Sequence, residues 1–101
     1  MRKITTNATE AFISGENFKS GNTEVITDSF NSSRLYLHGN VIAILHRGPD
    51  FEELCIDLCG WNTPTTRDRL NGIPGVSINT KNGTCFLNGE PISTYGYVKV
   101  R

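Results

Sequence analysis

No apolar run in these 101 residues approaches the length of a membrane span, and the opening Met1-Arg2-Lys3-Ile4-Thr5-Thr6-Asn7 has no apolar stretch of the secretion-signal kind. Charge of one sign is missing as well. Ten basic and ten acidic side chains leave a net charge of zero, which counts against a generic nucleic-acid coat, because sequence-independent binding draws on a basic excess. A local basic patch stays open. Cysteine is scarce and odd in number: the three thiols, Cys55, Cys59 and Cys85, do not make a disulfide framework. Together these absences predict a cytoplasmic, reduced chain with no membrane partner. The length suits a single compact domain over 1–101. With 37% hydrophobic and 20% charged residues, the composition is too apolar for disorder.

What is present is organised around Gly60-Trp61-Asn62-Thr63-Pro64-Thr65-Thr66-Arg67-Asp68-Arg69-Leu70-Asn71-Gly72-Ile73-Pro74-Gly75, which holds the only Trp and the strongest helix-start signal. Two readings of that start compete. Thr65 followed by Asp68 resembles a capping box, or Thr63 is the N-cap and Pro64 takes the first helical position, where its missing N–H costs nothing. Either helix stops at Gly72, with Pro74 just beyond. So short a helix must dock to persist, with Leu70 and Ile73 as its anchor. Trp61, the largest apolar body nearby, is expected to lie buried beside Leu70.

Elsewhere the pattern alternates between the two periods. Residues 5–14 predict a helix capped by Thr5 or Thr6, with Ala8, Ala11 and Phe12 on one face and Gly15 ending it. Asn17 to Asn22 reads as a loop with Phe18 turned inward, and Val25 to Asp28 as a short strand. Asn31-Ser32-Ser33 reads as a turn. Arg34–His38 and Val41–His46 form a hairpin about Gly39-Asn40, where the leading Gly suits a type II′ turn. Residues 50–60 fit helix or strand, and the strand from about Leu54 is favoured because it widens the hairpin into a stable sheet. Val76–Thr80 and Thr84–Leu87 flank Asn82-Gly83, the strongest short hairpin signal. Asn88-Gly89 is a further tight turn, and Tyr95–Val100 is the last strand. The result is α+β: an antiparallel sheet of hairpins with two short helices packed on one face.

The order of helix, Asn-Thr-Glu strand, Leu-Tyr-Leu-His-Gly-Asn hairpin and the Trp61 stretch resembles a group of small proteins encoded by bacteriophages and related mobile elements. The likeness covers nearly the whole chain. Its most specific part is Trp61 with Thr63, Thr65, Thr66, Arg69, Leu70 and Asn71. The resemblance implies a setting in the host cytoplasm and, since such proteins often bind a host or defence component, an inhibitor of the anti-CRISPR kind. It implies no catalytic activity.

The residues leave three classes of function. The first is a protein-binding module, monomeric or homodimeric, that touches a host or defence protein through the acidic turn Asp50, Glu52 and Glu53 and through an Arg67 and Arg69 face; the acids suit a basic partner surface. The second is nucleic-acid or phosphate binding at the helix start, with Thr63, Thr65 and Thr66 supplying hydroxyls and Arg67 and Arg69 supplying charge. No glycine-rich phosphate loop precedes that helix, so capping threonines and solvated arginines explain the same residues. The third is a small hydrolase, with Cys55 or Cys59 meeting His38 or His46 across the sheet, or with paired acids. No metal or cofactor is expected. Cys55 and Cys59 have C-x3-C spacing without a second close pair, and on a strand they stand roughly 13 Å apart.

Overall fold

The computed structural model describes residues 2–28 and 31–101. Helix α1 (Lys3–Ser14) starts two residues earlier than the pattern predicts, with Arg2 as N-cap and no side-chain cap. Its buried residues, Thr5, Ala8, Ala11 and Phe12, recur every three or four positions and so form one stripe. Phe12 is fully buried, and burial of such a ring contributes about 1.5–3 kcal/mol. The helix stops where Gly15 takes a left-handed conformation (φ 78°) and returns its N–H to the Ala11 carbonyl. Thr5 is therefore a core residue and not the cap.

Strands β1 (Phe18–Ser20), β2 (Thr23–Thr27), β3 (Ser32–Leu37), β4 (Asn40–Arg47) and β5 (Glu52–Ile56) follow, each antiparallel to its neighbour in sequence. Helix α2 (Pro64–Asn71) comes next, then β6 (Ile78–Lys81), β7 (Thr84–Leu87), β8 (Glu90–Ile92) and β9 (Val98–Lys99). Two sheets result. One has six strands in the order β1-β2-β3-β4-β5-β9, the other three in the order β6-β7-β8. The fold is α+β, with the strands divided between two sheets where the pattern predicted one.

Several local expectations shift by a residue or more. The 17–22 loop contains β1, and Ser32-Ser33 opens β3 instead of turning, because both pair with β4. In the first hairpin Leu37 pairs with Asn40, so the two-residue loop is His38-Gly39. Both loop residues have positive φ (51° and 79°), the type I′ geometry and not II′. The Asn82-Gly83 hairpin matches its prediction, with φ of 52° and 80°. The last strand shrinks to Val98–Lys99 and leaves Tyr95 and Tyr97 exposed.

Alternation along the large sheet decides what faces the core. Val25, Leu35, Leu37, Leu45, Leu54 and Ile56 point inward and are buried. A bulge at Leu35/Tyr36 lets Ile42 and Ala43 both reach the interior, against simple alternation. Helix α1 packs against β1, β2 and β3, and α2 against β4, β6 and α1. Leu70 and Ile73 are buried as the pattern predicts, and Val76, Ile78, Cys85 and Leu87 join the same apolar cluster. The small sheet thus has no separate core. Asn71 fastens it to α2, with Nδ2 donating to the Ile78 carbonyl (3.1 Å) and Oδ1 accepting from the Ile78 N–H (2.6 Å).

Candidate functional site: the open sheet face and the Trp61 cavity

The outer face of the large sheet carries the side chains that alternate with the core set. Register places them in rows across the strands. Ile26, Arg34, Ile44, Cys55 and Lys99 stand side by side on five strands. Glu24, Tyr36 and Val41 form a second row, and Ser32, His46 and Glu53 a third. Tyr36, Val41, Ile44 and Cys55 are half-buried and Ile26 is exposed. An open antiparallel face is ordinarily polar; this one has apolar residues at its centre. Tyr97 sits close enough to feel it: partial burial, and then the negative charge of Asp57, push its phenol pKa up.

Charge lies within and around those rows, with Arg34 between Ile26 and Ile44. Arg34 pairs with Asp28 at 3.0 Å, and Lys99 lies 3.9 Å from Glu53. Glu24 and Asp57 have no cation within ion-pair distance among the described residues. The acidic turn predicted as one patch is divided, because successive strand residues face opposite ways. Glu53 belongs to the outer face. Glu52 points to the other side and pairs with Arg101 at 3.1 Å. Asp50 is exposed in the turn between β4 and β5.

The thiols and imidazoles do not meet as the hydrolase reading requires. Cys55 donates to a Glu53 carboxylate oxygen at 3.8 Å, and Cys59 to the Val41 carbonyl at 3.2 Å. Burial, followed by the nearby carboxylates, raises both thiol pKa values, and a protonated thiol is a poor nucleophile. His46 instead meets Ser32, with Oγ and Nδ1 2.6 Å apart. The row Ser32–His46–Glu53 has the spatial order of a catalytic triad, yet Glu53 engages Lys99 and Cys55 rather than the imidazole. Among the described residues no three of His, Cys, Asp and Glu gather in a metal-holding group.

The second region lies at the start of α2. Thr63 is the N-cap: its Oγ1 accepts from the Thr66 N–H at 3.2 Å, and Pro64 opens the helix. The Thr65–Asp68 capping box does not form, since Asp68 accepts from the Thr5 hydroxyl on α1 and from Arg69. Gly72 ends the helix in a right-handed conformation. Neither arginine is left free: Arg67 folds back onto the residue before the N-cap, and Arg69 turns into the protein. Arg67 donates to the Asn62 carbonyl (2.9 Å) and side-chain oxygen (2.6 Å). Arg69 is 3% exposed and donates to Thr23, Thr5 and Asp68 at 3.0, 2.9 and 2.8 Å. No exposed Arg67 and Arg69 face exists: Arg69 is an interior bolt that joins α1, α2 and β2.

Trp61 corrects a further expectation. It is 61% exposed, not buried against Leu70. The cause is a tight turn in which Cys59 (φ 55°) and Gly60 (φ 77°) are both left-handed and the Trp61 N–H returns to the Leu58 carbonyl at 2.9 Å. At Gly60 a side chain would be strained by the positive φ and would displace the Tyr95 ring, which a β-carbon would meet at 2.6 Å. The turn carries the indole to the mouth of a cavity of about 520 Å³. Leu37, Ile42 and Leu58 line it with Trp61, and His38, Asn40, Thr63, Thr65 and Thr66 supply its polar wall.

A model of the Kyanoviridae Gp96 protein family matches residues 1–100. The chain belongs to that family. It is a phage protein. No curated protein and no solved structure matches it. Among its described residues no helix is long and apolar enough to cross a membrane. Sequence reasoning had placed this phage protein's contacts in a loop and a helix start. It missed the sheet face and the Ser32–His46 pair, because Ser32 read as part of a turn. The hairpin that carries Tyr36 and Ile44 was visible, but not which of its faces lies outward.

Proposed function

We propose that the protein acts by stoichiometric binding to a host or defence protein, in the manner of an anti-CRISPR inhibitor, with the open sheet face as its contact surface. The observation that supports this reading is the row Ile26–Arg34–Ile44–Cys55–Lys99, flanked by Tyr36, Val41 and Tyr97 and left without a covering layer. Surface that combines apolar side chains with tyrosine and arginine has the composition favoured in protein contacts. Glu24, Asp57 and Asp50 bias the rim toward a basic partner. Such a surface steers encounter mainly through rate. Turnover has no part in this reading.

The test is co-purification of the partner from host cells followed by titration with purified protein. The expected result is inhibition complete at one equivalent and lost in Ile44→Asp, a change at a half-buried surface position that leaves the far-UV spectrum unaltered. Reversal of Glu24 and Asp57 is expected to slow association while leaving dissociation nearly constant. Inhibition well below one equivalent, abolished by Ser32→Ala or His46→Ala, would replace the binding reading with an enzymatic one. Self-association through the same face would show as a dimer in sedimentation that Ile44→Asp dissolves.

A further inference from the structure

We infer that the cavity beside Trp61 is a binding site for a neutral nucleobase, with adenine as the best-matched edge. Its volume, about 520 Å³, falls in the range of roughly 300–1,000 Å³ typical of small-molecule sites. Its composition is of the same kind. Buried Leu37, Ile42 and Leu58 make the apolar part, and one large aromatic side chain stands at the rim. A fold that leaves its only tryptophan mostly in water, held by two consecutive left-handed residues, keeps an apolar plane available at the cavity mouth.

Charge decides among ligands. No Lys, Arg, Asp or Glu lines the cavity. Arg67 is spent on Asn62 and Arg69 lies inside the protein. Of the first-turn donors, Pro64 has none, and the Thr66 and Arg67 N–H groups are taken by Thr63, which leaves the Thr65 N–H as a single uncharged donor. A phosphate would therefore shed water here with no Lys or Arg to answer it, and an ammonium group would find no carboxylate. Beside the His38 imidazole, the polar groups that remain are amide and hydroxyl. The Asn40 carboxamide and the Thr65 hydroxyl have no partner among the described residues, and each can both donate and accept. An aliphatic guest would make no use of them. A planar heterocycle stacked on the indole presents donor and acceptor side by side, and a carboxamide pairs in this two-point way with the N6/N7 edge of adenine.

The base could arrive as a free nucleoside or as an unpaired residue of a single strand, and the measurement separates the two. Trp61 is the sole tryptophan, so its fluorescence reports the site directly. Titration with adenosine is expected to give a saturable change, stronger than with uridine and unaltered between low and high salt. Calorimetry, which needs no reporter, should show at least a tenfold loss of adenosine affinity in Trp61→Ala and a comparable loss in the double variant Asn40→Ala, Thr65→Val. A short oligoadenylate binding far more tightly than adenosine assigns the single strand as source; equal affinity assigns the nucleoside. Three results would overturn the inference. One is the absence of saturation with any nucleoside. Another is adenosine monophosphate binding more than tenfold tighter than adenosine in a salt-sensitive way, which would make the site an anion site. The last is p-cresol saturating the site below the nucleosides, which would give it to a partner's tyrosine. None of these bears on the sheet face, which the first proposal uses.

Discussion

The two ends of α2 invert the usual rule of burial. At its start the largest apolar side chain in the chain, Trp61, is 61% exposed; at its close a guanidinium, Arg69, is 3% exposed. The difference teaches that burial follows the partners a backbone offers, not the hydropathy of the residue. Arg69 reaches two threonine hydroxyls and one carboxylate, so each of its Nε and Nη1 donors is answered. The Thr5 and Thr23 hydroxyls that receive it are themselves fully buried. Trp61 follows a turn whose dihedrals aim it outward, and no hydrophobic segment crosses over it to cover the ring.

The sharpest way to break this comparison is to empty the inner end. Arg69→Ala leaves Thr5, Thr23 and Asp68 without their common donor. Loss of one member of a buried pair costs about 3–5 kcal/mol. Because the Asp68 side chain is 26% exposed, water reaches the orphaned carboxylate and the lower end, about 3 kcal/mol, is expected. For a chain of this length that lowers the melting temperature by about 12–24 °C. Arg69→Lys should recover little, since one ammonium cannot reproduce the fork. A melting temperature within a few degrees of the parent would show that the network is ornamental.

A smaller effect is expected where α2 hands over to the small sheet. Asn71→Ala removes both bonds to Ile78 and leaves that residue's backbone groups to find water, at about 1–3 kcal/mol. Hydrogen exchange should then quicken in β6, β7 and β8 before it does in β3 and β4. Uniform acceleration would mean that the small sheet depends on the core and not on this clamp.

Smaller again is the turn of that sheet. Gly83 has φ 80° and open space around its missing side chain, so Gly83→Val is penalised by backbone conformation alone. About 1–2 kcal/mol is expected, read by chemical denaturation. An unchanged midpoint would argue that the hairpin rearranges.

At the outer end, Trp61→Ala is expected to alter stability by no more than about 0.5 kcal/mol, as for surface positions generally. A loss of 3 kcal/mol or more, the cost of truncating a buried indole, would show that the ring is held inside in solution and would erase the contrast with Arg69.

Much of the fold was legible because it depended on local signals. Gly15 ends α1, Asn82-Gly83 turns the second hairpin, and Thr63-Pro64 starts α2; each states a backbone requirement that few other residues meet. The inward stripe of α1 was legible too, since Ala8, Ala11 and Phe12 recur at the helical period. The candidate sites were less so. Arg69 inside and Trp61 outside, the division of Glu52 from Glu53, and the meeting of Ser32 with His46 all depend on residues distant in sequence.

By itself the sequence determined the α+β class, both helices and the Asn82-Gly83 and Asn88-Gly89 turns, because those follow from dihedral preference and apolar period along neighbouring residues. Only the tertiary structure decided that β9 returns to β5, that the remaining strands form a separate sheet, and that one face of the large sheet stays open. It also decided that Thr5 and Thr23, 64 and 46 residues from Arg69, converge on one guanidinium. The physical reason is that a side chain's burial and charge partners are set by the surfaces the packed chain brings to it, and hydropathy at one position carries no information about those surfaces.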